Sequence, residues 1–323
     1  MQLTTNTRSF IEAEQYSSFI LYTLKDGLLG EQFYRNVSEF RQGDTFNIKT
    51  VGTVTLQEAA ENEDLEYNPI ETGNITFQIS EYEGDAWFIT DDVREEAAQF
   101  AALENARAVE STRAFQESME SKFFIACDNV HADKTSAQII NGQPHRISAD
   151  PSVDDGAFKI GGLNQLRLSF DKANVPHEGR VFICDPTIET VLNESVTFTS
   201  DMTSFAQDTI REGLARGMRL VTNIYGFSVI LSNRLPESNN VAVAHGSGTR
   251  QVVNGVVNVA MCILDDNCKP VMFAERRKPS VEGARDAGRS RDTYVAKAKY
   301  GFGTQRQDTF AAYITNRAVQ ASY

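Results

Sequence analysis

The residues best equipped for chemistry are few and scattered. The four histidines, His131, His145, His177 and His245, are dispersed along the 323 residues, and none sits in an H-E-x-x-H pair. The chain has neither a G-x-S-x-G nucleophile elbow nor a G-x-x-x-x-G-K-[ST] phosphate loop. A glycine-rich HGSGTR stretch at 245–250 follows a short apolar run without a helix start, so it reads as a turn rather than a phosphate cradle. Of the four cysteines, Cys127, Cys184, Cys262 and Cys268, the last two have a spacing unlike zinc pairs and no companion pair. Two interrupt apolar runs, as buried thiols in a reducing compartment do. The expectation is no catalysis, no metal, no cofactor and no disulfide.

Charge is the second source of chemistry. With 31 basic and 44 acidic residues the net charge is -13, which argues against a protein that wraps DNA through basic phosphate contacts. The two signs are also segregated. EAAENEDLEYNPIE (58–71) carries Glu58, Glu61, Glu63, Asp64, Glu66 and Glu71 with no basic residue, whereas AERRKPSVEGARDAGRSRD (274–292) is locally basic and reads as a loop. The acidic stretch reads either as a solvated loop or, more sharply, as a surface on which Glu61, Glu63, Asp64 and Glu66 meet Arg276, Arg277 and Lys278 of an adjacent subunit. Each exposed pair would contribute no more than about 1 kcal/mol, enough to bias register when repeated around a ring.

These groups must be carried by definite elements. DTFNIKTVGTVTLQ (44–57) and NITFQIS (74–80) alternate apolar and polar residues, so two half-buried strands flank the acidic stretch as a long hairpin. Arms of about 14 residues would reach roughly 45 Å. A two-stranded ribbon of that size is marginal alone and leaves both edges open, so something else must cover it. A helix of about 30 residues follows. It starts near Asp92 with Glu95 three residues on as a capping box, and Val93, Ala97, Phe100, Ala108, Phe115 and Met119 form one imperfect apolar sector. FILYTL near the N-terminus is too short to span a membrane, so a soluble chain without a secretion signal is expected.

FDKANVPHEGRVFICDP (170–186) condenses the second half. A helix carrying Leu163, Leu166 and Phe170 ends where Pro176 forces Val175 into extended backbone. Gly161 and Gly162 make its first turns doubtful, at about 1 kcal/mol each relative to Ala. His177-Glu178-Gly179 turns the chain, Val181 to Cys184 is a strand covered on both faces, and Asp185 caps a new helix opened by Pro186. GFSVILSNRLP (226–236), VAVAH (241–245) and VVNVAMCIL (256–264) add strands to this α/β unit. In the C-terminal TYVAKAKYGFGTQRQDTFAAYI, Tyr294, Ala296, Ala298 and Tyr300 alternate as a strand does.

Taken together, NVPHEGRVFICDP, GFSVILSNRLP, DAWFITDDVREEA leading into the long helix, and YVAKAKYGFGTQRQDTFAAYI make the chain resemble the major capsid proteins of tailed bacteriophages, the Hong Kong 97 fold of the short-tailed-phage type. The resemblance implies an α+β fold divided into an N-terminal arm (1–40), an extended hairpin or E-loop (41–85), a peripheral domain with the spine helix (86–150), an axial domain (151–265) and peripheral return strands (266–323). It further implies a virion protein, assembled in the host cytoplasm, that forms pentamers and hexamers of an icosahedral shell around packaged double-stranded DNA. Its partners would be itself, a portal protein, and a cement protein where one decorates the shell. About forty residues precede the hairpin, where the founding member carries a long cleaved scaffolding segment, so a separate scaffolding protein is expected. Lys49 is the only lysine of the hairpin and nothing marks an asparagine partner, so the founding member's Lys–Asn isopeptide bond is not expected. DNA contact is expected to be nonspecific, along an acidic inner wall. The rival readings are an encapsulin-like nanocompartment shell and an α/β enzyme or ligand-binding protein with an appended hairpin.

Overall fold

A computed structural model describes residues 31–37, 45–51, 58, 72–96, 100–150, 156–189, 191–192, 220–245 and 249–316. The expected helix at 9–25 and most of the acidic stretch lie outside them.

The VFIC run is the middle of the larger of two main sheets. Strand β8 (Arg180–Cys184) pairs parallel with β10 (Phe227–Leu231) and antiparallel with β12 (Thr249–Cys262). The seven-stranded sheet is completed by β7 (Arg146–Ser148), β9 (Leu220–Ile224), β11 (Glu237–His245) and β15 (Phe310–Thr315), in the order β7-β15-β12-β8-β10-β9 with β11 on β12. Alternation sorts its side chains onto two buried faces. Val181, Ile183, Val257, Val259, Met261, Phe310, Ala312 and Ile314 face one core with Phe123, Phe124 and Cys127 of the long helix. Phe182, Cys184, Ala260, Cys262, Ala311 and Tyr313 face the other with Leu163, Leu166 and Phe170. Burial on both faces explains why these strands read as unbroken apolar runs.

The helix over those last residues, α3 (Ile160–Lys172), starts immediately before the two glycines. Gly162 is there for space: a Cβ would stand 2.4 Å from the Tyr313 ring. Its C-terminus ends as expected, with Asn174 at φ +58° and Gly179 at +72°. The next strand's first residue, Arg180, turns back to donate to the carbonyls of Val175 (2.7 Å) and Pro176 (2.8 Å), and forms an ion pair with Asp171 (2.7 Å). Asp185 then accepts from the Thr187 amide and hydroxyl at 3.2 and 2.7 Å, as a cap does.

The second sheet has the order β1-β13-β14-β4, from β1 (Arg35–Asn36), β13 (Val271–Asp286), β14 (Arg291–Thr304) and β4 (Glu81–Thr90). Tyr294, Ala296, Ala298 and Tyr300 share one of its faces. Ala296, Ala298 and Tyr300 pack with Phe115 and Phe273 against α2 (Phe100–Asp128), the spine helix, which α1 (Asp91–Glu96) precedes. Val93 lies on α1 and is exposed, outside the apolar sector the helical wheel assigned it. The ribbon, β2 (Thr45–Val51) with β3 (Thr72–Gln78), pairs antiparallel from Thr45 with Gln78 to Val51 with Thr72.

One expectation is corrected. The basic stretch 274–292 is not a loop: β13 runs through it and pairs with β14 to the Asp286–Arg291 turn. Its period-2 signal is hidden by exposure beyond Ala274 and by two register shifts, one on each side of Arg277, the second of which contains Pro279. Among the described residues the ribbon pairs as far as Gln78, and the next strand, β4, joins β14. The segment 266–323 does not stay in one sheet, since β15 crosses to lie between β7 and β12.

Candidate assembly surface

Two features project beyond the cores. The first is the ribbon. Among the described residues β2 and β3 pair only with each other, and burial along β3 falls from Phe77 (1% exposed) through half-buried Ile75 to exposed Thr72. Among the described residues neither edge of the ribbon has a further strand beside it. Of the acidic residues expected between its arms, Glu58 is described and is exposed, while Glu61, Glu63, Asp64 and Glu66 lie outside the described residues.

The second is the β13–β14 hairpin. Arg276, Arg277 and Lys278 sit at its bulge, where the register shift re-aims side chains; Arg276 and Lys278 are exposed and Arg277 is half-buried. Arg277 pairs with Glu282 of its own strand. The three basic residues are thus together on one strand, and their meeting with Glu61, Glu63, Asp64 and Glu66 is not something one chain displays.

A set of ionic ties that sequence reasoning missed holds this hairpin and the sheet on the spine helix. Glu81, Glu83 and Asp85 alternate on the helix-facing side of β4. Glu81 takes Lys122 at 2.9 Å, Glu83 takes Ser118 at 2.6 Å and the Tyr300 hydroxyl at 2.9 Å, and Asp85 takes both oxygens' worth of Arg107 at 2.9 Å. The signal was the period-2 row of carboxylates in EYEGDAW, opposite a helix with cations. Burial and the neighbouring carboxylates push the Tyr300 hydroxyl well above its ordinary range, so it stays a donor. Near the hairpin turn Arg285 grips Asp91 at 2.5 and 2.6 Å and Asp292 at 3.1 Å, which holds Asp91 below its usual carboxylate range. The other face of β4 leaves Tyr82 and Phe88 exposed, with Arg291 stacked over Phe88 at 4.9 Å.

The spine helix is also tied to the larger sheet. Arg234 reaches Glu117 and Glu120 at 3.4 and 3.1 Å, and buried Arg146 reaches Asp128 at 2.9 Å. These ion pairs tie both sheets to the spine helix.

The groups first considered for chemistry are placed differently. His131 and His145 are buried; burial, with Arg146 nearby, pushes His131 down to about 4, and burial lowers His145 as well. Of HGSGTR, His245 ends β11 opposite Thr249 of β12, and residues 246–248 lie outside the described residues. All four cysteines are free, three of them buried, and burial raises the thiols of Cys127 and Cys184. Among the described residues no three His, Cys, Asp or Glu side chains gather as a metal would require, and no helix is long and apolar enough to cross a membrane.

Comparison with known proteins agrees with this arrangement. The model of a family described as phage capsid protein matches residues 73–315. Among solved structures the chain is similar to that in the capsid of cyanophage P-SCSP1u, at 16% identity over 95% of this chain and 94% of that one, TM-score 0.71. It is also similar to the capsid of Ralstonia phage GP4, at 11% identity over 95% of each chain, TM-score 0.66. The holo-SrpI encapsulin complex from Synechococcus elongatus is a weaker likeness, at 10% identity over 100% and 99%, TM-score 0.54. No curated protein gives a significant match. Such distant structural likenesses establish the α+β Hong Kong 97-like fold, and the family match over most of the sequence supplies the rest: the chain belongs to the phage capsid protein family, as a major capsid protein of the tailed-phage type.

Proposed function

We propose that this major capsid protein forms the pentamers and hexamers of an icosahedral head that encloses double-stranded DNA, as a wall component without a catalytic step. The observation that carries the reading is the ribbon: among the described residues its two strands pair only with each other, and along β3 burial is confined to the root at Phe77. Laid over a neighbour, it would gain the burial its own chain does not supply, and a closed ring of such contacts satisfies every copy. The acidic stretch around Glu61, Glu63, Asp64 and Glu66 would settle against Arg276, Arg277 and Lys278 of the adjacent subunit, setting register more than strength. Assembly would take place in the host cytoplasm with a separate scaffolding protein and a portal, and a cement protein would be an optional later addition. A net charge of -13 favours an inner wall along which DNA slides.

Expression of the chain with its phage's assembly proteins, followed by sedimentation and negative-stain microscopy, tests the reading. Closed particles that fill with DNA support it. A discrete small oligomer would sink the shell, and particles loaded with cargo protein instead of nucleic acid would move the chain to the encapsulin side.

A further inference from the structure

The ribbon leaves the body at one point. On β14, Tyr300-Gly301-Phe302-Gly303 alternates aromatic with glycine. Tyr300 and Phe302 point into the aromatic packing beneath the spine helix, where Phe302 lies 5.0 Å from Phe273 and 5.6 Å from Tyr34. The two glycines therefore face the other side, where their missing side chains leave a slot. Phe77 fills it: a Cβ on Gly303 would stand 2.1 Å from Phe77 Cδ2 and 2.8 Å from Cε2. One step along, a Cβ on Gly301 would stand 2.9 Å from both the Gln78 carbonyl oxygen and Ile79 Cα. Phe77 and Ile79, 1% and 3% exposed, cluster with Ala274 and Val37 and with no other described side chain. Beyond Phe77 the residues of β3 are exposed or half-buried.

We infer that Phe77 is a positioning residue for assembly: lodged in the Gly301–Gly303 slot, its ring locks the root of the ribbon and sets the direction in which the ribbon reaches a neighbouring subunit. The lock works by shape alone. Neither glycine has a positive φ among the chain's left-handed residues, so what these positions require is the absence of a Cβ, not a special backbone. Because the residues of β3 beyond Phe77 gain little burial from their own chain, a shift at this point is carried along the strand.

The inference rests on the shell reading, and the test separates the two. In the full-length unassembled chain, Gly303→Ala should speed amide exchange over residues 72–80 by about tenfold while β8 stays protected, since an added methyl must displace the ring. Phe77→Ala should leave the body folded by circular dichroism, speed the same amides, and lower the yield of normally sized particles by about tenfold. The decisive variant is the pair: with Phe77→Ala present, Gly303→Ala should cost nothing further. Unchanged protection in Gly303→Ala, normal particle yield in Phe77→Ala, or equal cost of Gly303→Ala in both backgrounds would each overturn the lock. Should Gly303→Ala unfold the body, recovery in the double variant supports the lock and persistent unfolding rejects it. Wild-type chain that forms no particles counts against the shell and leaves the exchange result standing.

Discussion

The guanidinium of Arg146, wholly buried on β7, lies 2.9 Å from the carboxylate of Asp128, the last residue of the spine helix, and that carboxylate also takes Lys134 at 2.5 Å. This is the joint between the helix and the larger sheet. Removing one partner leaves an uncompensated buried charge, so Asp128→Ala should destabilise the chain by about 3–5 kcal/mol in denaturant unfolding. Replacing both, Asp128→Leu with Arg146→Met, should cost less than the single change. A double variant as damaged as Asp128→Ala alone would show that the joint depends on charge and not on its satisfaction.

Beside that pair His131 is fully buried, its ring edge-on to Phe310 at 5.1 Å and its Nε2 3.4 Å from the Gln307 carbonyl. Burial first, and then Arg146, hold it neutral and lower it from 6.5 to about 4; His145 bears on it in the same direction and Asp128 in the opposite one. The unfolded chain thus binds a proton that the folded chain refuses between pH 6.5 and 4. Stability from this group is complete above 6.5, falls as pH drops through that window, and changes no further below 4, a total of about 3 kcal/mol. Denaturation midpoints at pH 7.5 and 4.5 should differ less in His131→Gln than in wild type. Equal differences would remove His131 from the account.

Adjacent glycines in α3 should behave oppositely. Gly161 has open space around its Cβ position, so Gly161→Ala should stabilise the helix by up to about 1 kcal/mol. Gly162 backs onto Tyr313, whose hydroxyl accepts the Lys159 amide at 3.1 Å, so Gly162→Ala should cost about 1–3 kcal/mol. Thermal unfolding of the two variants checks the sign of each.

How much of this was legible in the sequence follows from where each cause lies. The helix, strand and cap of 170–186 are set by neighbours within a few residues, by Pro176, Gly179 and Asp185, and they read correctly. So did the alternation of β14. What did not read depends on contacts far along the chain. Gly162 looks like a helix defect until Tyr313 is brought against it, and nothing near Gly303 in the sequence marks it as the slot for Phe77. β13 was hidden because solvent on both sides removes the period-2 signal that burial writes. At the assembly surface the opposite charges were visible, but charge alone says nothing of Arg277 already holding Glu282.

That pairing makes the intersubunit contact testable. Glu63→Lys with Asp64→Lys should lower particle yield, and adding Arg276→Glu with Arg277→Glu should restore part of it. Because Glu282 competes for Arg277, the rescue should improve when Glu282→Gln is included. A combined variant no better than the first would reject the contact.

The most direct measurement is an electron cryomicroscopy map of assembled particles, traced through residues 45–78. The account predicts that each copy's ribbon leaves its root at Phe77 and lies across a neighbouring subunit, with its edges covered there. A ribbon folded back onto its own body, in a chain that stays unassembled, would contradict it.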